Sequence, residues 1–322
     1  MKRRNFIQSA VLASTIPLCG SPDPATENAR TLKTPALSPE EQDAIAKAIG
    51  KKGAYNEAQA TYSIPLPRND LRVTINGEPI PIPFGFGGWV AFKKTLDGSQ
   101  TVMMSDTVLL EAEVNPLIDA TQAAGLEVGA IHNHFFYEQP RIFYMHIHGM
   151  GDVADLARKY AQAIGNTKLF PANQPTPSQN SAAHPGNELF DLPVLDGLVK
   201  YKGVVNGPTY KYTVGRDDVQ IIAMGAEMTA AIGLNSWASF AGKQDAAHIA
   251  GDIAMLDTEV NAVVNTLRKH NLQVVALHHH MLGEQPRTVF LHYYGRGPAP
   301  ELAKGFRAAL DQLGKGKTAN MK

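Results

Sequence analysis

Residues 130–152 read AIHNHFFYEQPRIFYMHIHGMGD, and residues 276–298 read ALHHHMLGEQPRTVFLHYYGRGP. The step from His132 to His278 is 146 residues, and the same step carries His134 to His280, Glu138 to Glu284, Arg141 to Arg287 and His146 to His292. It also carries Asp106 to Asp252, Glu113 to Glu259 and Asn115 to Asn261. Further upstream the step becomes 148, pairing Arg68 with Arg216, Asp70 with Asp218 and Trp89 with Trp237. One two-residue length change, between Phe92 and Asp106, separates two copies of one unit. A tandem duplication constrains the fold strongly, because whatever the unit builds must be built twice and the copies must stack or pair.

Local signals order each copy. Ser38-Pro39-Glu40-Glu41 is a capping box with Pro at the first helical position, and Gly50 ends that helix. Short β-rich runs follow: ATYSIPL, LRVTING, GWVAFKK and TVMMSD. A helix is expected around EVNPLIDATQAAG, with Val114, Leu117, Ile118 and Thr121 on one side, matched by Val260, Val263, Val264 and Leu267. Gly125 and Asn271 end the two versions, being residues that tolerate a left-handed backbone. The histidine hairpin comes next, then a helix over DVADLARKYAQAIG. The expected fold class is α+β: two tandem homologous repeats, each a mainly antiparallel sheet with packed helices and a His-rich β-hairpin. The expected boundaries are a signal peptide and N-terminal segment over 1–30, repeat 1 over 31–165, a linker rich in Pro, Asn, Ser and Gln over 166–193, repeat 2 over 194–313 and a tail over 314–322.

Strand side chains alternate, so the hairpins can be read face by face. Odd positions (Ile131, Phe135, Phe143, Met145, Ile147; Val275, Leu277, Met281, Val289, Leu291) form a core face. Even positions carry His132, His134, His146 and His148 in one copy and His278, His280 and His292 in the other, with Tyr294 in place of His148. Eight of the eleven histidines lie in these hairpins. Neutral imidazoles side by side can ligate a divalent metal, zinc or another transition metal, act as acid and base, or fill a polar interface. His132, His134 and His146 can converge on one metal, as can His278, His280 and His292; Glu138, Glu284 and His148 are candidate further ligands. Copy one, with the extra histidine, is then the stronger site. Glu138 and Glu284 could equally pair with Arg141 and Arg287, which could themselves bind an anionic group. Asp106 and Asp252 read as turn-shaping residues, Glu113 and Glu259 as helix N-terminal acids, and His248, which has no repeat partner, as a surface residue.

The N-terminus, MKRRNFIQSAVLASTIPLCGS, has a basic start, a short apolar run and small residues: a signal peptide. Arg3-Arg4 is similar to a twin-arginine export motif, with an ordinary basic n-region as the alternative. Cys19 is the only cysteine, which excludes an intramolecular disulfide; it is a candidate for lipidation, with cleavage further along as the alternative. Lys+Arg and Asp+Glu both total 30, and no long basic run occurs, which argues against nucleic acid as a partner. The remaining expected partners are a small molecule or a metal, with a membrane reached only through a lipid anchor. GFGGWV is too short of glycines, and too strand-like, to be a dinucleotide fingerprint.

LLEAEVNPLIDA with GLEVGAIHNHFFYEQPRIFYMHIHGMGD, its second copy, and the upstream Trp strand resemble the LppY/LpqO-like family of exported bacterial proteins. The resemblance covers nearly the whole mature chain and implies a duplicated domain of unknown function, exported to the periplasm or cell envelope and often lipid-anchored. H-x-H-x-x-x-E is also similar to the first cupin motif, but the spaced glycines are missing and the helices do not suit a jelly roll. The expected function is an exported envelope protein with a His-based divalent-metal site, a metal-dependent hydrolase or oxidoreductase. The alternative is a non-catalytic metal- or ligand-binding envelope protein with structural histidines.

Overall fold

The computed structural model describes residues 33–175 and 184–315. The expected signal peptide, with Arg3, Arg4 and Cys19, lies outside the described residues. Copy one runs α1 (Pro39–Ile49), β1 (Ala54–Asn56), β2 (Thr61–Pro67), β3 (Val73–Ile75), β4 (Glu78–Ile80), β5 (Gly87–Lys94), β6 (Thr101–Leu110), α2 (Glu111–Ala123), β7 (Glu127–His132), β8 (Glu138–Gln139), β9 (Ile142–Gly151) and α3 (Val153–Ile164). After α4 (Gly186–Leu189), copy two runs α5 (Leu192–Val199), β10 (Val204–Asn206), β11 (Thr209–Gly215), β12 (Ile221–Ala223), β13 (Ala226–Met228), β14 (Asn235–Lys243), β15 (Ala246–Leu256), α6 (Val260–Lys269), β16 (Gln273–His278), β17 (Thr288–Gly297) and α7 (Ala299–Leu310). The fold is α+β with antiparallel sheets in tandem repeats. Helix α5 starts two residues inside the segment expected as linker, because Asp191 caps it and Pro193 opens its first turn.

Each copy builds one six-stranded sheet with the same order, β1-β2-β5-β6-β9-β7 and β10-β11-β14-β15-β17-β16. Helices cover one face of each. In copy one, Tyr62, Ile64, Val90, Phe92, Met103 and Met145 pack under Ile45, Leu117, Leu156 and Tyr160. In copy two, Tyr212, Phe240, Ile249, Leu291 and Tyr293 pack under Leu195, Val263, Leu267 and Phe306. The capping box at Ser38 and the left-handed Gly125 and Asn271 bound helices where the sequence places them, and Asp152 caps the start of α3. Among the described residues no helix is long and apolar enough to cross a membrane.

The opposite faces of the two sheets meet, within a single compact unit. Two cores mix residues of both copies: Phe84, Phe86, Phe135 and Tyr144 with Ala241, Ala250 and Tyr294, and Ala91, Val102 and Met104 with Ile232, Leu234, Met281 and Phe290. The arrangement is therefore four layers, helix–sheet–sheet–helix, with the histidine face as an inner surface. Three expectations change. Ile131 and Leu277 are not core residues, being 43% and 50% exposed near the ends of edge strands β7 and β16, which have a neighbour on one side only. Phe135 and Met281 lie past those strand ends, where alternation lapses, and they enter the inter-copy cores. His248 is buried rather than on the surface, because it sits inside β15 on the inward side; its Nδ1 meets the Tyr294 hydroxyl at 2.7 Å and its Nε2 meets Glu78 of copy one at 3.2 Å.

A repeated ion cluster ties each sheet to its helix. Arg68 is fully buried, donates twice to Asp70 at 2.9 Å, and donates to Glu113 and the Val108 carbonyl at 2.7 Å. Arg216 repeats this with Asp218, Glu259 and the Ala254 carbonyl. Glu113 and Glu259 also accept from the backbone N–H groups of Leu110 and Leu256, so these acids cap a helix start and hold an arginine at once. Removing one member of a buried, hydrogen-bonded charge cluster leaves the others uncompensated. Arg68→Ala is expected to cost about 3 kcal/mol in urea unfolding; a loss below about 1 kcal/mol would place the cluster among incidental surface pairs.

Candidate functional site

One row of side chains runs straight across the inward face of each sheet. In copy one, Pro65 pairs with Trp89, Trp89 with Asp106, and Asp106 with His146. In copy two the row is Thr213, Trp237, Asp252 and His292. Asp106 and Asp252 therefore do not shape turns. They stand mid-strand, almost fully buried, each directly opposite a histidine. The signal was available: both aspartates kept the repeat spacing, and Asp106 closes TVMMSD, a run read as strand.

The histidines interleave between copies. The His132 ring stacks on His278 and the His134 ring on His292, each with centroids 3.7 Å apart, and His146 lies 4.1 Å from His280. His132 Nε2 is 3.0 Å from His146 Nε2. Two backbone carbonyls orient the cluster: His146 Nδ1 faces Ser105 O at 3.2 Å, and His292 Nδ1 faces Gly251 O at 3.3 Å. In neutral imidazole this puts the proton on Nδ1 and turns the Nε2 lone pair inward.

Four sets of three side chains have ligand atoms within 4.8 Å of one another: Asp106/His132/His146, Asp252/His280/His292, His132/His278/His292 and His146/His278/His280. This revises the expected ligands. Three-histidine triads within one hairpin do not form: His132 and His146 stay together but take Asp106 from β6, and His280 and His292 take Asp252 from β15. His134 joins no set; it stacks on Tyr144 and crosses to His292. His148 joins none either, its ring lying over Gly129 against the His280 carbonyl. Glu138 and Glu284 are buried but outside every set, each accepting the backbone N–H at the start of the following strand, from Ile142 and Thr288. Arg141 and Arg287 are exposed in the hairpin turns and line neither cavity described below. The expectation that His134 matters more than His280 reverses, since His280 belongs to two sets.

Polarity is badly matched in this protein interior. Ring nitrogens of His132, His134, His148, His278, His280 and His292 are buried without a hydrogen-bond partner, as are Asp106 Oδ1 and Asp252 Oδ1. His280 Nε2 lies 3.3 Å from Asp252 Oδ2 but is not aligned for a hydrogen bond. Burial, reinforced by neighbouring imidazoles, holds His132, His134, His146 and His280 well below the ordinary histidine range; His148 falls to about 4 and His292 to about 3. Burial raises Asp106 to about 8 and Asp252 well above the usual carboxylate range.

Two adjoining cavities of about 420 and 500 Å³ open beside the cluster and share Pro65, Trp89, Asp106, Lys211 and Trp237 as lining. His280 and His292 reach the first, His134 the second. Each indole extends into the other copy: a Cβ placed on Gly233 would lie 3.0 Å from the Trp89 tip, and one on Gly85 would lie 3.6 Å from the Trp237 tip. That is the use of Gly233, whereas a Cβ on Gly85 would crowd Phe135, at 3.0 Å, before it met the indole. Gly233 also has φ +101°, which side-chain-bearing residues rarely adopt. Neither the tryptophans nor Lys211 were singled out from sequence, although the paired tryptophans were visible in the repeat. Lys211 breaks the repeat, so nothing in the sequence marked it.

The sequence matches the family described as Domain of Unknown Function (DUF1259) over residues 43–166 and again over 194–312, and the chain belongs to that family. No curated protein matches it. Among solved structures, EtuB from Clostridium kluyveri overlaps 81% of this chain and 89% of its own, at 10% identity and TM-score 0.19. The double ringed trimeric shell protein MSM0271 from the RMM microcompartment overlaps 77% and 93%, at 10% identity and TM-score 0.19. The trimeric bacterial microcompartment shell protein PduB overlaps 80% and 90%, at 13% identity and TM-score 0.19. At that TM-score the overlap does not amount to a shared fold.

The titrations give a signed prediction for metal-free protein. A histidine held below its unfolded value of ~6.5 contributes stability that is present above that pH and lost as pH falls toward the folded value. For His148, with a folded value of about 4, the full loss is about 3 kcal/mol. Asp106 and Asp252, held above their unfolded value, act oppositely: their stabilisation is lost as pH rises, toward about 8 for Asp106. Two acids are outweighed by seven lowered imidazoles between about pH 6.5 and pH 4. The urea midpoint in chelator is therefore expected to fall steeply over that range, and a flat midpoint would mean the cluster is not buried neutral.

Proposed function

We propose that this member of the Domain of Unknown Function (DUF1259) family holds divalent metal in a centre shared by its two copies, and acts on a small molecule in the cavity beside it. One observation carries the reading: converging, buried ligand atoms on Asp106, His132, His146, Asp252, His278, His280 and His292, most of them with unpaired nitrogen or oxygen. Unpaired buried polar groups cost ~1–3 kcal/mol each, and a cluster of them is difficult to explain as filling. The donor set fits a borderline transition ion such as zinc, which takes imidazole and carboxylate ligands. The 3.0 Å between His132 Nε2 and His146 Nε2 is close to the ~3.3 Å separating two nitrogens bound tetrahedrally at 2.0–2.1 Å.

Asp106, His132 and His146 of copy one would hold an ion on one side and Asp252, His280 and His292 of copy two on the other, with His278 in the two sets that join the copies. Bound there, such an ion would supply Lewis acidity for hydrolysis or, as iron held by two histidines and a carboxylate, oxidoreductase chemistry. The chain's own groups do the rest. Ser105 O and Gly251 O fix the tautomers of His146 and His292. Trp89 and Trp237 wall the cavity and exclude water from its sides. His134, outside the ligand sets and at the cavity wall, can exchange a proton with a molecule placed there.

Metal analysis of the purified protein tests the reading. Bound zinc or another divalent ion is expected, and saturating metal should stabilise the fold by about 3 kcal/mol at one hundred times Kd. His280→Ala should lower metal content more than His134→Ala, with exposed His184→Ala as a neutral control. Protein that takes up no divalent ion at neutral pH, and variants that change only stability, would leave the histidines structural.

The reading places the protein outside the cytoplasm, in the periplasm or cell envelope. Support comes from the basic start and apolar run around Arg3-Arg4 and from the resemblance to LppY/LpqO-like exported proteins. Twin-arginine export carries folded chains, which suits a centre assembled between two copies. Changing Arg3 and Arg4 to Lys is expected to strand the precursor in the cytoplasm; normal export of that variant excludes the twin-arginine route. Mass spectrometry of the mature protein reads acylation of Cys19 directly.

A further inference from the structure

The cavity walls are nearly two-fold symmetric. At the repeat steps Trp89 corresponds to Trp237, Asp106 to Asp252 and Pro65 to Thr213, and all six line one cavity. One position breaks the symmetry in charge: where copy two has Lys211, copy one has Ser63, and both line the same cavity. Lys211 is half-buried, and its ammonium group lines the cavity 4.4 Å from the centre of the Trp237 ring. Among the described residues no carboxylate lies within ion-pair distance of it and no hydrogen bond holds it. The acids lining the cavities, Asp106 and Asp252, attract it only from beyond ion-pair distance and belong to the histidine sets, with Asp252 Oδ2 3.3 Å from His280 Nε2. The other lining cation, Lys51, is committed to the Pro65 carbonyl at 2.6 Å. An ammonium group with no carboxylate in contact, resting on an indole beside an aromatic-walled space, is half of a recognition site.

We propose that Lys211 is the specificity-determining residue of this cavity, selecting a small planar molecule that carries one carboxylate. The anion pairs with the Lys211 ammonium group, the flat body lies between the two indoles, and the remainder points toward the histidine sets. Because Ser63 supplies no second cation, the ligand enters this two-fold cavity in one orientation only. The inference deepens the metal-centre reading, on which the claim that this ligand is a substrate rests, but anion capture by Lys211 needs no metal.

The chain has only two tryptophans, Trp89 and Trp237, and both line the cavity, so intrinsic fluorescence reports its occupancy. Titrate the full chain as purified, and again after dialysis against chelator, with benzoate and with its neutral isostere benzamide. Benzoate is expected to change the fluorescence saturably in both preparations, and benzamide to bind at least about tenfold more weakly, the value of one modest ion pair. Lys211→Ser, which reproduces the residue copy one already carries there, should fold, as read by circular dichroism, and should lose benzoate affinity by a similar factor. The double variant Lys211→Ser/Ser63→Lys should recover it from the opposite wall. Equal binding of benzoate and benzamide, unchanged benzoate affinity in Lys211→Ser, or no saturable response at millimolar benzoate would each overturn the assignment. Benzoate binding that survives in protein unable to take up metal upholds the role of Lys211 while removing the metal reading, so the two fail separately.

Discussion

Burial of a polar face between two sheets governs this structure. Each copy has one face that its own helices cover with ordinary apolar packing. The other face carries imidazoles, a carboxylate and an indole in register, and left to water it would need no partner. Pressed against its duplicate, it loses water from every ring nitrogen. The surrounding patches, Phe84, Phe86 and Phe135 on one side and Ile232, Leu234 and Met281 on the other, supply the apolar drive for that docking. What they enclose is then forced to be neutral, to be paired, or to hold an ion. The depressed histidines, the raised aspartates and the convergent ligand sets all follow from that one act of desolvation.

Much of the fold could be read from the chain alone, and for identifiable reasons. Ser38, Gly125 and Asn271 act through local backbone geometry, so their signals survive any tertiary context. The repeat spacing tied each strand to a second example of itself. Alternation along β9 and β17 separated the histidine face correctly. It failed at Ile131 and Leu277 because burial depends on what lies across the sheet edge, and at Phe135 and Met281 because alternation ends with the strand.

The site was legible in type but not in grouping. Residues within one hairpin look like neighbours in sequence, so His132, His134 and His146 read as one triad. The sets that form draw Asp106 from one strand away and His278, His280 and His292 from the other copy, and nothing local encodes those distances. His248 looked like surface because it has no repeat partner, and one of the groups that hold it, Glu78, comes from the other copy. Lys211 carries no signal at all until the second wall is in place.

The crossing of the two indole tips, Trp89 over Gly233 and Trp237 over Gly85, has a historical consequence. A half-length ancestor with this unit would have been incomplete alone and would have had to associate with an identical partner to finish either wall. In such a homodimer every change arrives in duplicate, and a cation on one wall brings its twin onto the other. Joining the halves in a single chain lifts that rule. The fused molecule can keep the exchange of tryptophans that a dimer requires, yet let its two walls diverge one residue at a time.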